Sequence, residues 1–300
     1  MINVALNQKV LVEEYLKTEN HFLSAFSFVN IFAWRDFFDF RFEVINDELC
    51  VFAHQAGACF LYLPPLGPTP SFNTIEGCFE RMEEINKGNG VSRIENVHEK
   101  QLPFFPPEEF DYFKKGYEYC YYRKDLAALK GNAYKSKRNA CNYFTRHYQF
   151  KFLPFDYSMG QECAHLYTRW ANNRQVKYQD EIYLTMLEEN KIVHRSVLRN
   201  YAELGLVGRV VMVNDGIEGY SFGFPLASDI FCVLFEIVNL EIKGLPVYVF
   251  REFCRDPQLK PFKFINVMDD FGLPQIERTK LSFQPCVLFP AYVVTRKKNK

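Results

Sequence analysis

Two turn signals constrain this chain more than anything else in it. Asn46-Asp47 stands between Arg41-Phe-Glu-Val-Ile45 and Glu48-Leu-Cys-Val-Phe-Ala53, and Asn214-Asp215-Gly216 stands between Arg209-Val-Val-Met-Val213 and Ile217 to Phe224. Asn, Asp and Gly accept the positive φ of tight hairpin turns, so both read as β-hairpins. After each hairpin the elements follow in the same order: strand, Gly/Pro loop, helix, strand, short helix, strand. The first set is Ala58 to Leu63, the 67–73 loop, Thr74 to Lys87, Arg93 to Val97, a short helix from Pro106, and Tyr117 to Arg123. The second is Ile230 to Val238, a Gly/Pro turn, Pro246 to Arg255, Phe262 to Val267, Pro274 to Leu281, and Val287 to Thr295. Ile94-Glu-Asn-Val97 even echoes Phe264-Ile-Asn-Val267. A repeat of roughly 150 residues is too long for a solenoid and points to duplicated domains. Any mixed α/β chain can give such an order, so the duplication is an expectation for the structure to test.

Two helical stretches open the chain, Val10 to Lys17 and the apolar Phe22 to Phe40. A basic helix from Tyr134 to His147, a strand at 150–153 and helices within 159–172 and 179–203 precede the second hairpin. The expected fold class is α/β (α+β): two domains, 1–122 and 123–300, each a mixed, mostly antiparallel sheet flanked by helices.

Length and charge exclude several function classes. The 300 residues carry 36 Lys+Arg against 36 Asp+Glu, which argues against a protein coated by nucleic acid but leaves room for a local basic patch. No segment supplies the roughly 20 apolar residues of a bilayer span; Phe22 to Trp34 is interrupted by Ser24, Ser27 and Asn30. The first twenty residues carry Glu13, Glu14 and Glu19 and no signal-peptide apolar region. Nine cysteines without a CxxC pair read as reduced thiols. These features predict a soluble cytoplasmic protein. The six histidines lack metal-ligand spacing, and no phosphate-loop or dinucleotide fingerprint is present.

Gly219-Tyr-Ser221-Phe-Gly223 spells the serine-hydrolase pentapeptide. That motif needs a sharp turn between strand and helix, and here it lies inside a hairpin strand. Alternation puts Tyr220, Phe222 and Phe224 on one face and the small residues on the other, where a helix or ligand can approach closely. Asp270-Phe-Gly272 spells a kinase tripeptide with no accompanying Gly-rich loop. Both are read as coincidences.

Arg123 to Lys151 holds eight cations against Asp125 alone. On the helix Lys135, Arg138, Asn139, Asn142 and Arg146 share one arc, while Ala140, Cys141, Phe144 and Tyr148 form the apolar arc. Lys137 falls with the apolar arc, so its ammonium faces inward or escapes at the helix start. The cations form either a solvated face or a phosphate site. Ile242-Lys243-Gly244-Leu-Pro246 joins a strand to a helix, and Lys243 beside that helix start is a second anion candidate. The spacing is similar to the coenzyme A pyrophosphate loop of GNAT acetyltransferases. Glu241 and Pro246 depart from that pattern.

The chain resembles the domain at the C-terminus of phosphatidylglycerol lysyltransferases. The matching residues are Asp125-Leu-Ala-Ala-Leu-Lys-Gly131, Tyr134-Lys-Ser-Lys137-Arg138-Asn139, Tyr201 to Leu206, Glu236, Ile242-Lys243-Gly244, Asn266 to Gly272, Lys280-Leu-Ser282-Phe-Gln-Pro285 and Tyr292. Phe26 to Arg35 fits the family's opening. The resemblance implies two tandem GNAT-like domains with a cleft or tunnel between them. It also implies transfer of an aminoacyl group from aminoacyl-tRNA to an amine or hydroxyl of a small molecule, peptide or lipid headgroup. Glu236, Asp270, Lys280 and Tyr292 are then the catalytic candidates. Lys135, Lys137, Arg138, Asn139, Lys243 and Gly244 are the candidates for holding donor phosphates. A coenzyme A-dependent N-acetyltransferase using acetyl-CoA and a non-catalytic ligand- or tRNA-binding module are the alternatives.

Overall fold

The structure is a computed structural model that describes residues 2–17, 21–67, 70–178 and 180–297. Residues 68 and 69 of the expected loop, and residue 179, lie outside the described residues. The first half runs β1 (Ile2–Asn3), α1 (Lys9–Leu16), α2 (Phe28–Ala33), β2 (Asp39–Ile45), β3 (Glu48–Gln55), β4 (Ala58–Leu61), α3 (Phe72–Asn86), β5 (Ile94–His98) and β6 (Phe110–Tyr122). Next come α4 (Arg123–Ala128), α5 (Lys135–His147), β7 (Phe150–Pro154), α6 (Gly160–Lys177), α7 (Glu181–Arg199) and α8 (Tyr201–Leu204). The second hairpin set is β8 (Val207–Val213), β9 (Gly216–Pro225), β10 (Ile230–Val238), α9 (Leu245–Arg255), β11 (Phe264–Asn266), α10 (Pro274–Leu281) and β12 (Val287–Arg296).

Both turn signals fold as expected. Asn46 and Asp47 take φ of 50° and 64°, and Asn214 and Asp215 take the same pair of values, as a type I′ turn demands. Two readings change. Only Phe28–Ala33 of the expected Phe22–Phe40 helix is helical: Glu118 accepts the Ser24 N–H at 3.0 and 2.9 Å, and Ser27 caps α2 by accepting from Asn30 N–H. The short helix expected from Pro106 is a turn closed by Phe110 N–H on Pro106 C=O, and a 3-10 helix forms earlier, at Glu99–Phe104. Two prolines there leave the backbone short of donors.

The chain divides into two compact units. The first comprises the described residues of Met1–Tyr119, Asp269–Pro274 and Leu288–Lys300; the second comprises Cys120–Met268 and Gln275–Val287. The expected division near residue 123 therefore differs in two respects: the segment Asp269–Pro274 and the last strand both belong with the first unit. There β12 lies between β5 and β6, with Ala291 opposite His98 and Tyr292 opposite Val97. In the second unit the tail of β6 pairs with β11, Cys120 opposite Asn266 and Tyr122 opposite Phe264. Each repeat thus completes its sheet with the final strand of the other. Among the described residues the parallel pairs are β4 with β5 and β10 with β11, and the other registered pairs are antiparallel.

In the first unit β3 is buried on both faces, and Leu49 to Ala53 have no exposed surface. Helix α3 covers it with Ile75, Cys78, Phe79 and Met82, spaced to form one helical stripe. In the second unit α5 and α9 share a core of Cys141, Phe144, Leu245, Tyr248 and Val249 over Val211 and Val238. Eight of the nine cysteines are buried, and all nine are free thiols.

Candidate functional site

The site is built where β10 outlasts its neighbour. Strand β11 stops pairing at Asn266 opposite Cys232, whereas β10 continues to Val238, so Val233 to Glu236 lose their cover on that side. The β9–β10 register also slips between Val233 and Phe235. A bulge places two consecutive residues against one partner and bends the strand, which is how active-site strands re-aim side chains. Here it turns Val233, Leu234 and Glu236 toward one cavity of about 280 Å³. Tyr121, Phe250, Val267, Ile276, Thr279, Lys280 and Phe283 complete its wall.

Glu236 is the carboxyl of this wall. Part of its surface opens to the cavity, but the surrounding strands and aromatic rings strip its hydration, and burial pushes its pKa up to about 8. The Ser221 hydroxyl donates to it at 3.1 Å, which pulls the value back slightly. Lys280, in the last turn of α10, donates to the carbonyls of Val267 at 2.6 Å and Met268 at 3.1 Å. Tyr121 fixes the same helix end by donating to the Lys280 carbonyl at 2.9 Å. The cavity therefore holds a carboxyl whose pKa burial pushes up to about 8, and Lys280, with its ammonium anchored on backbone, lines the same space.

The other two catalytic candidates belong to the first unit. Asp270 accepts from the Tyr119 hydroxyl and, at 2.8 Å, from Gly272 N–H, closing a turn in which Phe271 and Gly272 have positive φ. Tyr292 lies on β12 and meets the Tyr112 ring edge-on at 6.4 Å.

The basic segment and the Lys243 turn come together in the second unit. Gly244 has φ +87°, and a Cβ there would sit 2.2 Å from the Ala140 carbonyl oxygen of α5. Glycine is required by this close approach of turn to helix. The Lys243 ammonium lies 4.4 Å from the Tyr143 ring of α5. Lys135, Asn139 and Lys243 are exposed. Lys137 is half-buried, as its place on the apolar arc predicts. It donates to Ser282 Oγ at 2.7 Å, its ammonium lies 4.0 Å from the Phe283 ring, and burial lowers its pKa. Arg138 donates to the carbonyls of Leu129 at 2.5 Å and Gly131 at 2.6 Å, which ties down the turn after α4. At the start of α9, Leu245 N–H is bonded to Ile242 C=O and Pro246 has none, so two donors of a pyrophosphate loop are missing.

Ser221 lies mid-strand with no exposed surface, without the turn a nucleophile needs. The small face of β9 serves α9: a Cβ on Gly219 would sit 3.0 Å from Val249. Sequence reasoning missed the bulge at Leu234 and the wall residues Tyr121, Phe250, Ile276 and Phe283. One usable signal was Glu236 itself, a lone carboxyl inside an apolar strand. Among the described residues no cluster of three or more metal-ligating side chains occurs, and no helix is long and apolar enough to cross a membrane.

Residues 17–295 match the family described as phosphatidylglycerol lysyltransferase, C-terminal. A solved protein of unknown function from Bacteroides thetaiotaomicron is 25% identical, with TM-score 0.86, covering 99% of this chain and 100% of that one. L-PGS from Bacillus licheniformis is 16% identical, with TM-score 0.63, covering 97% and 92%. A tandem GNAT protein from the clavulanic acid biosynthesis pathway is 9% identical, with TM-score 0.54, covering 100% and 98%. No curated protein matches the sequence. The fold is a tandem GNAT-like one.

Proposed function

Starting from the chain's membership of the phosphatidylglycerol lysyltransferase C-terminal family, we propose that it moves an aminoacyl group from aminoacyl-tRNA to an amine or hydroxyl acceptor. The observation that carries this reading is Glu236, a carboxyl whose pKa of about 8 suits proton transfer near neutral pH, set in a cavity that Lys280 also lines.

An aminoacyl ester is already activated, so the reaction needs positioning, a proton acceptor and support for an oxyanion. The acceptor nitrogen or oxygen attacks the ester carbonyl and forms the new C–N or C–O bond. Its proton passes to ionised Glu236 while negative charge gathers on the carbonyl oxygen, near the Lys280 ammonium. Collapse breaks the ester bond, and Glu236 returns the proton to the departing ribose oxygen. Lys135, Asn139 and Lys243, exposed on α5 and its adjoining turn, are the groups offered to tRNA phosphates. Asp270 and Tyr292 act as structural residues in this scheme. The missing donors at the start of α9 count against acetyl-CoA as donor.

The test is transfer of labelled amino acids from total aminoacyl-tRNA into acceptors of a cell extract. The wild type should form a labelled product, and Glu236→Gln should slow it by roughly 10²–10⁴. Transfer from acetyl-CoA alone, or no transfer from any donor, would overturn the reading.

A further inference from the structure

We propose that the Glu236 cavity reads the side chain of the transferred amino acid and selects a large uncharged, apolar one over lysyl or any other cationic group. This deepens the aminoacyl-transfer reading and rests on it.

The reacting carbonyl has to lie by Glu236 and Lys280, so the side chain attached to it is laid against the remaining wall. That wall is Leu234, Phe250, Ile276 and Phe283, with Val233 and Val267 beside them and the hydroxyls of Tyr121 and Thr279 spent on the carbonyls of Lys280 and Gln275. Its volume of about 280 Å³ suits one bulky side chain with its carbonyl and is short of the roughly 300–1,000 Å³ of ordinary ligand pockets.

Charge settles the class. The cavity already holds a cation, Lys280, and its ammonium is anchored on the carbonyls of Val267 and Met268. A second ammonium sits against the wall, because Lys137 lies 4.0 Å from the Phe283 ring. The cavity's carboxyl, Glu236, accepts from Ser221 on one oxygen, and burial keeps it largely protonated at neutral pH, so it meets an incoming ammonium as a neutral group. A lysyl side chain would enter as another cation in a largely apolar space without an ionised partner at neutral pH, which is the costly case. An apolar side chain covers the same wall and leaves no polar group unpaired.

Amino-acid amides carry the α-amine, carbonyl and side chain without the tRNA, so calorimetric titration with them reads the cavity directly. Phenylalaninamide and leucinamide should bind wild-type protein at least about tenfold tighter than lysinamide. Lys280→Met should narrow that gap. Ile276→Glu, on the half-buried flank of α10, should invert it by supplying the missing anion. Lysinamide binding as tightly as phenylalaninamide, or no binding by any amide, would overturn the proposal. The two readings fail separately. Lysyl-tRNA serving as the preferred donor in a working transfer assay sinks this inference and leaves aminoacyl transfer standing. The predicted ranking without transfer from any aminoacyl-tRNA does the reverse.

Discussion

Ser221 and Glu236 face each other across β9 and β10, and the serine hydroxyl donates to the carboxylate at 3.1 Å. The pairing gives the serine of the hydrolase-like pentapeptide a partner inside the sheet. The serine hydroxyl lowers the proton affinity of its neighbour.

The rate of transfer should rise with pH through a midpoint near 8, because Glu236 works as a base only when ionised. Ser221→Ala removes a bond that favours the charged form, so the midpoint should move to higher pH by about one unit. The plateau above it should survive. A pH–rate profile of both proteins checks this, and loss of the plateau in Ser221→Ala would restore the nucleophile reading.

Stability should carry the same signature. Folding raises the Glu236 pKa from 4.5 to about 8, so in that window the folded protein holds a proton that the unfolded chain has released. The stabilising contribution is complete below pH 4.5 and is lost as pH climbs through about 8. Urea melts across pH 4 to 9 should show this decline in wild type and a flatter curve in Glu236→Gln.

The cations of the second unit should separate by task. Lys135→Ala and Lys243→Ala should each reduce the salt slope of tRNA binding by about one. Arg138→Ala should leave the slope alone and lower stability by roughly 1.5–3 kcal/mol, since two carbonyls lose a charged donor. Filter binding at several salt concentrations, read beside thermal melts, distinguishes the two effects.

Gly244→Ala should be among the costliest small substitutions in the chain. The new Cβ meets the Ala140 carbonyl at 2.2 Å and φ is +87°, so steric clash and strain add. A loss of about 2–4 kcal/mol is expected, measured by denaturant titration.

Much of this fold was legible because its signals are local. The Asn-Asp turns, the apolar run Ile230–Val238 and the Pro274–Leu281 helix are written in neighbouring residues, and the structure gives the last two with the same bounds. What escaped depends on distant partners. Ser24 leaves the helix pattern because Glu118 takes its N–H, and Gly244 is required by a carbonyl on another helix. At the site, Glu236 was visible as an oddity of composition, but the bulge that aims it has no sequence signature. Helical periodicity put Lys137 on the apolar arc, yet only the fold could supply Ser282 and Phe283 as its contacts.

Because β12 completes the first unit, a growing polypeptide leaves β5 without that neighbour until β12 itself has been made and has left the ribosome. At roughly 5–20 residues per second the wait is on the order of ten seconds or more, with backbone donors and acceptors open to any passing strand. Ribosome stalling between β5 and β12 should therefore leave the early half sticky and insoluble unless a chaperone holds it.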